Sequence, residues 1–286
     1  MSHPPPASSK QPGQPNAGEL KSSFAGELKS AFAGAGSRTL VLTISNPSAR
    51  NALGPDVYAA GVEALNFADS SDDVGSIVIT GEGAQFCAGG NLQRLLENRN
   101  QDPSVQASSI DGLHAWIEAI RSCRKPVIAA VEGAAAGAGF SLCLACDFVV
   151  AASDAIFVMS YSNVALSPDG GGSWHLARAL PRQIASELLL AGERISAEQL
   201  HALGVVNRLA GHGQALADAL ALADTLNAKA PNALASIKEL LADAQQHSLP
   251  VHLAAERDAF VANLHHANGA EGINAFLAKR PAAYRA

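Results

Sequence analysis

The sequence predicts an α/β protein with a helical C-terminal region. From Arg38 onward, short runs of branched apolar residues alternate with segments whose apolar residues recur every three or four positions, the pattern of strands separated by helices. After about His175 only the helical pattern continues. The chain of 286 residues is 48% hydrophobic and 16% charged, and such a composition can bury a large core.

Each element of the α/β part follows from a local pattern. The predicted strands are residues 39–44, 76–80, 126–131 and 148–151. Residues 55–68 are predicted as a helix with Pro55 in its first turn. A second helix follows from Ile110, Leu113, Ile117 and Ile120, whose spacing places them on one face. Strands joined through helices need crossover connections, so the pairing should be mostly parallel.

The C-terminal part is predicted to be helical over residues 214–228, 231–244, 251–264 and 271–279. Ser196 and Gln199 have the spacing of a capping box at a helix start. At the other end, five prolines lie within the first 15 residues, which favours a flexible tail. The chain therefore divides into a tail over 1–36, an α/β core over 37–210 and a helical region over 211–286.

Composition also excludes several classes of function. The net charge of −6 argues against a nucleic-acid-binding surface. No apolar run reaches the ~18 residues that a membrane span needs, and the N-terminus lacks the apolar segment of a secretory signal. Four cysteines are too few for a disulfide scaffold of this length. We therefore expect a soluble cytoplasmic protein.

The tail contains one short duplication. The sequence AGELKS occurs at 17–22 and again at 25–30. Two copies of six residues are too short for a solenoid, which needs several units of 20 or more residues. We interpret the pair as a local duplication.

Two glycine-rich turns follow predicted strands. Gly89 and Gly90 lie in one, and Gly133, Gly137 and Gly139 lie in the other, which opens an apolar helix. Neither matches a dinucleotide fingerprint or a phosphate loop. Such turns allow close packing of helix on strand, but their free N–H groups can also bind a developing oxyanion. The pattern alone leaves both interpretations open.

The candidate metal ligands are weak. Cys143 and Cys146 form a C-x-x-C inside an apolar run with no second ligand pair nearby, so two core thiols are the better interpretation. The adjacent His265 and His266 point in different directions on a helix. We expect no metal and no cofactor.

Asp169 is the sharpest single signal. It lies in the sequence SPDGGG at 167–172, between an apolar stretch and Trp174. Asp in Pro-Asp-Gly is common in turns. The alternative is a carboxylate held over a cavity as a general acid or base.

Three segments in order resemble the signatures of the enoyl-CoA hydratase/isomerase (crotonase) family. The first contains Asn46-Pro47 and Asn51-Ala52-Leu53, the second is FCAGGNL at 86–92, and the third is KPVIAAVEG at 125–133 followed by GAG at 137–139. The resemblance runs from about Arg38 to the C-terminus. It implies a spiral of ββα units with a helical trimerisation region, assembled as a homotrimer or a hexamer (a dimer of trimers).

The resemblance also implies a site for an acyl-CoA substrate. In this family two backbone N–H groups stabilise a thioester enolate, and the matching donors are Gly90 and Ala138. The positions implied for coenzyme A binding are Arg50, Ala52, Ala88, Asn91, Leu92 and Lys279. Lys279 would reach a coenzyme A phosphate across a subunit boundary, and Asn91 replaces the more frequent Asp of the second signature.

The departures from the family pattern bear on the reaction. Hydratases of the family carry two glutamates, whose positions here hold Ser141 and Tyr161, whereas Asp169 matches the single acidic residue of double-bond isomerases. One carboxylate can remove a proton and return it to another carbon. We therefore predict isomerisation, or a hydrolysis-type step, on an enoyl-CoA of aromatic or fatty acid catabolism. The surrounding segment is most similar to enzymes of phenylacetyl-CoA breakdown, including alternative oxepin-CoA hydrolases.

Three alternatives remain. A 2-enoyl-CoA hydratase would need Asp169 or a water relay in place of the two glutamates. His114 and Asp169 match the His and nucleophilic Asp of 4-chlorobenzoyl-CoA dehalogenases, with Tyr161 at their Trp position. A non-catalytic crotonase scaffold or RNA binder is disfavoured by the acidic charge and by the retention of Asp169.

Overall fold

A computed structural model describes residues 26–34 and 37–285. The strands are β1 Glu27–Phe32, β2 Thr39–Ser45, β3 Ser76–Gly81, β4 Val127–Val131, β5 Ala134–Ala136, β6 Phe148–Ala152, β7 Ile156–Val158, β8 Arg194–Ser196 and β9 Arg208–Ala210. The helices are α1 Pro55–Ser70, α2 Leu92–Asn98, α3 Pro103–Ser122, α4 Ala138–Ala145, α5 Gly172–Ala179, α6 Arg182–Ser186, α7 Ala197–Ala202, α8 Ala215–Asn227, α9 Pro231–Asp243, α10 Leu249–His265 and α11 Ala267–Leu277.

The larger sheet has six strands in the order β1-β2-β3-β4-β6-β9. Strands β2, β3, β4, β6 and β9 pair in parallel. Parallel pairing is what the sequence predicts, but β9, with only three residues, was not predicted as a strand. The register places Ile79 beside Leu42 on one side and Ala129 on the other. All four predicted strands are present, and β3 and β4 are almost entirely buried because helices cover both faces of the sheet.

The two faces of the sheet are covered by helices from different parts of the chain. On one face, α1 and α3 pack through Leu65, Trp116 and Ile120 onto side chains such as Ile77. On the other face, α8 packs through side chains such as Leu222 onto the second hydrophobic cluster, which consists of Val78, Ile128, Ala130, Val150, Ala210, Ala215, Ala219, Leu222 and Ala223. Helix α8 begins beyond the predicted boundary at residue 210, yet it completes the core of the sheet.

A smaller sheet has the order β5-β7-β8, with β5 and β7 parallel and β8 antiparallel. None of these strands is predicted by the sequence, because each has only three residues and β5 is Ala-Ala-Ala. The predicted capping box is present at the start of α7, where Ser196 and Gln199 bond each other's backbone. This sheet carries the chain from the end of β4 to the start of α4.

The predicted tail over 1–36 is too long at its C-terminal end. Residues Glu27–Phe32 form β1, which pairs antiparallel with β2 at the edge of the sheet. Leu28 packs against the core and Lys29 forms an ion pair with Glu82. The strand was missed because its last four residues are exposed, so its apolar pattern is weak. Residues 1–25, including the first AGELKS copy, lie outside the described part of the chain.

The C-terminal helices α8–α11 form close to the predicted ranges. Helix α11 begins four residues earlier than predicted, because the His266 side chain caps it by accepting from the Asn268 N–H. Helix α9 is tied to the core by Lys238, whose Nζ lies 2.7 Å from Asp147 Oδ2 and donates to the Ile120 carbonyl. Neither α9 nor α10 buries a residue fully within the chain. Helix α8, in contrast, buries four residues against the sheet.

No helix in the described ranges is long and apolar enough to cross a membrane.

Candidate active site

Within the described part of the chain, two backbone N–H groups are unpaired at the ends of the glycine-rich turns. Gly90 ends the loop after β3, directly before Asn91, the N-cap of α2, and Ala138 is the first residue of α4. Among the described residues, neither N–H has a hydrogen-bond acceptor. The first N–H groups of a helix have no partner within the helix and carry the positive end of its dipole. Both groups are therefore available to an oxyanion.

Hydrogen bonds between backbones bring the two turns together. The Cys87 N–H donates to the Ala134 carbonyl at 3.0 Å, and the Ala136 N–H donates to the Cys87 carbonyl at 2.9 Å. Gly89 has a φ of +85°, and a Cβ atom there would lie 2.6 Å from the Ala136 oxygen and 3.1 Å from the Ala138 nitrogen. Only glycine fits this contact. The turn of Gly90 therefore lies directly against the turn of Ala138.

Asp169 is half-buried in the loop before α5 and accepts a hydrogen bond from the Tyr161 hydroxyl at 2.6 Å. Tyr161 in turn packs beside Gly137, where a Cβ atom would lie 3.7 Å from the hydroxyl oxygen. Gly137 immediately precedes the donor Ala138. The carboxylate, the phenol and the oxyanion turn therefore form one cluster.

Burial raises the pKa of Asp169 above its ordinary value of 3.8, although the Tyr161 hydrogen bond and the nearby His114 act in the opposite direction. Burial also raises the pKa of Tyr161, and the Asp169 charge adds to that effect. Tyr161 therefore stays a neutral donor to the carboxylate. A carboxylate with a raised pKa is a stronger base than an exposed aspartate, which suits proton transfer near neutral pH.

Ser141 holds the backbone of the same loop. It lies on α4, is fully buried, and donates from Oγ to the Asp169 carbonyl at 3.0 Å. Gly172 packs so closely that a Cβ atom would lie 2.7 Å from Ser141 Oγ. The hydroxyl is thus committed to the Asp169 main chain.

His114 is exposed on α3, near enough to Asp169 to affect the charge of the carboxylate. Tyr161 occupies the place that the dehalogenase alternative assigns to Trp, and its hydroxyl already binds the carboxylate that would serve as the nucleophile. This arrangement weakens the dehalogenase hypothesis.

The residues implied for coenzyme A binding lie on both sides of the Gly90 turn. The Ala88 N–H donates to the Arg50 carbonyl at 3.0 Å, and the Leu53 N–H donates to the Gly89 carbonyl at 2.7 Å. Ala52 lies between them and is buried, whereas the Arg50 side chain is exposed. The structure therefore brings the 50–53 and 88–90 segments side by side.

Asn51 has a positive φ of 58°, and its buried amide holds this arrangement in place. Its Nδ2 donates to the carbonyls of Glu82 and Gln85, and its Oδ1 accepts from the Asn46 N–H. The two asparagines of the first signature thus shape the loop that leads to the donors. The left-handed conformation is one that Asn tolerates better than most residues.

Asn91 and Leu92 follow the donor Gly90 directly. The Asn91 side chain caps α2 by accepting from the Gln93 and Arg94 N–H groups, at 3.0 and 3.2 Å. Asn therefore serves as an N-cap as well as the more frequent Asp would. Leu92 is 60% exposed at the start of the same helix.

A sequence profile of the enoyl-CoA hydratase/isomerase family matches residues 35–286. The chain belongs to the enoyl-CoA hydratase/isomerase family. It is therefore an acyl-CoA enzyme, and the family resemblance and the fold class expected from the sequence are confirmed.

Two curated relatives of this family member illustrate the range of reactions. The 1,2-epoxyphenylacetyl-CoA isomerase of Escherichia coli is 36% identical over 252 residues, covering 84% of this chain and 92% of the relative. The 2,3-dehydroadipyl-CoA hydratase of the same organism is 35% identical over 243 residues, covering 85% and 93%. Both isomerases and hydratases are therefore similar to the chain.

Solved structures agree with the fold. The crystal structure of an enoyl-CoA hydratase from Polaromonas sp. JS666 is 67% identical, has a TM-score of 0.88, and covers 90% of this chain and 99% of its own. A structure of enoyl-CoA hydratase from Bacillus anthracis is 26% identical with a TM-score of 0.85, covering 90% and 98%.

Within the described part of one chain, Lys279 makes no hydrogen bond to the candidate site residues. Lys279 is exposed just after α11, with a positive φ of 53°. Its expected contact with a coenzyme A phosphate across a subunit boundary stays a prediction.

The cysteines behave as core thiols. Cys143 is fully buried and Cys146 is partly exposed, and burial raises the pKa of both thiols. Within 26–34 and 37–285, no group of three or more His, Cys, Asp or Glu side chains has the arrangement of a metal site.

Two side chains near the site were not singled out from the sequence. Tyr58 on α1 was indistinguishable from a core residue, because it lies on the buried face of a predicted helix. Arg94 lies on α2, for which the sequence pattern predicted no element. The signal for Arg94 was available: it is the first charged residue after the Gly90 turn.

Proposed function

We propose that this enzyme isomerises an enoyl-CoA with Asp169 as its single base. The carboxylate removes a proton from the carbon between the thioester and the double bond, and the resulting enolate oxygen accepts from the Gly90 and Ala138 N–H groups. The same carboxyl group, now protonated, returns the proton to the far carbon of the former double bond. The proton is thus moved between carbons, and the double bond becomes conjugated with the thioester.

The observation that carries the proposal is the hydrogen bond from Tyr161 to Asp169 beside the Ala138 turn. It fixes one carboxylate close to the oxyanion turn. The phenol supports that carboxylate without competing as a base, because its raised pKa keeps it protonated. Each oxyanion donor contributes about 3–4 kcal/mol to transition-state stabilisation by the usual scale.

The acyl group of the substrate is proposed to derive from an aromatic ring. The chain is 36% identical to a 1,2-epoxyphenylacetyl-CoA isomerase over most of both lengths. That relative's named reaction is also an isomerisation of an acyl-CoA. We therefore propose that the acyl group of this chain's substrate is ring-derived.

Hydration of a 2-enoyl-CoA is the second candidate, because a 2,3-dehydroadipyl-CoA hydratase is 35% identical. Against it, the two positions that carry glutamates in hydratases of the family hold Ser141 and Tyr161. Ser141 Oγ already binds the Asp169 carbonyl, and Tyr161 already binds the carboxylate. Asp169 would therefore have to activate water alone.

Assembly as a trimer, or as a hexamer of two trimers, is part of the same proposal. Large apolar side chains are exposed on the last two helices, including Leu249 and Phe260 at 69% and Phe276 at 82%. An apolar surface of this kind usually marks an interface. Light scattering coupled to gel filtration would measure the mass, and a monomer would contradict the proposal.

Paired substrates separate the two reactions. The purified enzyme is mixed with a 3-enoyl-CoA and, separately, with the 2-enoyl-CoA of the same length, and ultraviolet absorbance follows the conjugated thioester. We expect conjugation of the 3-enoyl substrate and no loss of conjugation from the 2-enoyl substrate. Rapid loss of conjugation from the 2-enoyl substrate alone would establish hydration and contradict the proposal.

A further inference from the structure

Among the described residues, Arg94 beside the proposed site is a cation without a carboxylate partner. It lies on the first turn of α2, four residues after the donor Gly90. Its guanidinium donates to Ser109 Oγ on α3 and lies 3.0 Å from the position that a Cβ atom would take at Gly54. The side chain is half-buried and forms no ion pair within the described ranges. Its remaining N–H groups therefore lack an anionic acceptor.

Tyr58 supplies a second, independent donor in the same space. The side chain is only 6% exposed, and its hydroxyl has no hydrogen-bond partner among the described residues. Burial raises the pKa of this phenol, while Arg94 lowers it and Asp169 raises it by smaller amounts. The Tyr58 N–H donates to the Gly54 carbonyl at 3.1 Å, and Gly54 is the residue that the Arg94 guanidinium packs against.

We propose that Arg94 and Tyr58 bind a carboxylate at the far end of the acyl group, so that the enzyme prefers acyl-CoA thioesters of dicarboxylic acids. This inference rests on the proposed function, because it takes the space beside Asp169 as the acyl pocket. A guanidinium with free N–H groups is the side chain best matched to a carboxylate, and the phenol adds one O–H donor. The thioester end of the same acyl group would lie at Gly90 and Ala138.

Charge balance supports this occupant over an unsubstituted chain. A fatty acyl chain would cover Arg94 and the Tyr58 hydroxyl without offering an acceptor, and buried donors without acceptors are costly. A distal carboxylate accepts from both groups. It also needs the cation of Arg94, since the ionised Asp169 nearby would otherwise repel it.

Calorimetric binding of two saturated thioesters tests the subsite apart from the reaction. Adipoyl-CoA, with one free carboxyl group, and hexanoyl-CoA have the same number of acyl carbons and cannot be isomerised. The wild-type enzyme should bind adipoyl-CoA at least about tenfold more tightly. Arg94→Gln should bring the two affinities together, and Tyr58→Phe should reduce the preference by about threefold.

Arg99→Gln is the matched control, because Arg99 is exposed at the end of the same helix. It should keep the full preference for adipoyl-CoA. Equal affinities in the wild-type enzyme would overturn the inference, and so would an Arg94→Gln variant that loses affinity for both thioesters alike. Selective binding through Arg94 in an enzyme that does not isomerise 3-enoyl-CoA would support the subsite and contradict the proposed reaction.

Discussion

The active site has two halves, one formed by backbone groups and the other by side chains. The oxyanion half consists of backbone N–H groups, at Gly90 and Ala138, fixed by hydrogen bonds between main chains. The acid-base half consists of side chains, with Tyr161 and Ser141 holding Asp169. Substitution at Ala138 can leave its donor intact, whereas substitution at Asp169 removes the base. In the proposed mechanism the oxyanion half therefore stabilises the enolate, and the acid-base half determines the reaction.

Replacing Asp169 should have the largest effect, because it removes the only base of the proposed mechanism. Asp169→Asn should lower kcat for 3-enoyl-CoA by about 10²–10⁴-fold, the usual contribution of general acid–base catalysis. Steady-state absorbance assays measure the loss. A variant with wild-type kcat would show that another group takes the proton.

Stability provides the control for that variant. Burial raises the folded-state pKa of Asp169 above its unfolded value. Ionising Asp169 therefore destabilises the folded state. This destabilisation is absent at pH values below the unfolded pKa and grows as the pH rises through the folded pKa. Asp169→Asn removes this destabilisation. Urea denaturation at neutral pH should therefore show no loss in the free energy of unfolding.

Removing a backbone donor tests the other half directly. Ala138→Pro eliminates the N–H, while proline is tolerated at the first position of a helix. We expect kcat to fall by about 10²–10³-fold. Ala138→Gly keeps the N–H and is the matched control, so its kcat should stay within a few-fold of wild type. Equal losses in both variants would mean that the side chain, and not the donor, matters at this position.

Tyr161→Phe should change the pH dependence more than the maximal rate. The hydrogen bond from Tyr161 lowers the pKa of Asp169 against the larger effect of burial, so its removal raises that pKa further. Because the base must be ionised, the acid limb of kcat/KM should move to higher pH. A pH profile of kcat/KM measures the shift, and an unmoved or lower limb would contradict the assigned role.

Ser141→Ala should have the smallest effect. It removes the hydrogen bond to the Asp169 carbonyl and should lower the free energy of unfolding by about 1 kcal/mol. Since the residue carries no base, kcat should fall only a few-fold. Urea denaturation and steady-state kinetics together test this, and a loss of kcat as large as that of Asp169→Asn would assign Ser141 to the chemistry.

Much of the fold and of the candidate site was predictable from the sequence. Most of the parallel strands appear as branched apolar runs, and Gly89 marks a turn that only glycine fits. Asp169 was identifiable as a candidate, although a turn aspartate has the same local pattern. The sequence could not place Tyr161 against Asp169, because that contact depends on the path of the loop between β7 and α5.

The elements that were missed have weak local signals. Strand β5 is three alanines, and its strand conformation is fixed by pairing with β7 rather than by propensity. Strand β1 lies next to a proline-rich segment and exposes most of its residues. Arg94 and Tyr58 lie on separate helices, and no spacing within one segment relates them. The sequence pattern of a single segment carries no information about its contacts with distant segments.

The central claim is that Asp169 alone moves a proton from carbon 2 to carbon 4, and following that proton tests it most directly. A 3-enoyl-CoA carrying deuterium at carbon 2 is converted in ordinary water in a single turnover, and mass spectrometry and NMR locate the label in the product. If Asp169 is the single base, deuterium removed from carbon 2 should appear at carbon 4. A product whose new hydrogen at carbon 4 comes entirely from solvent would contradict the one-base mechanism.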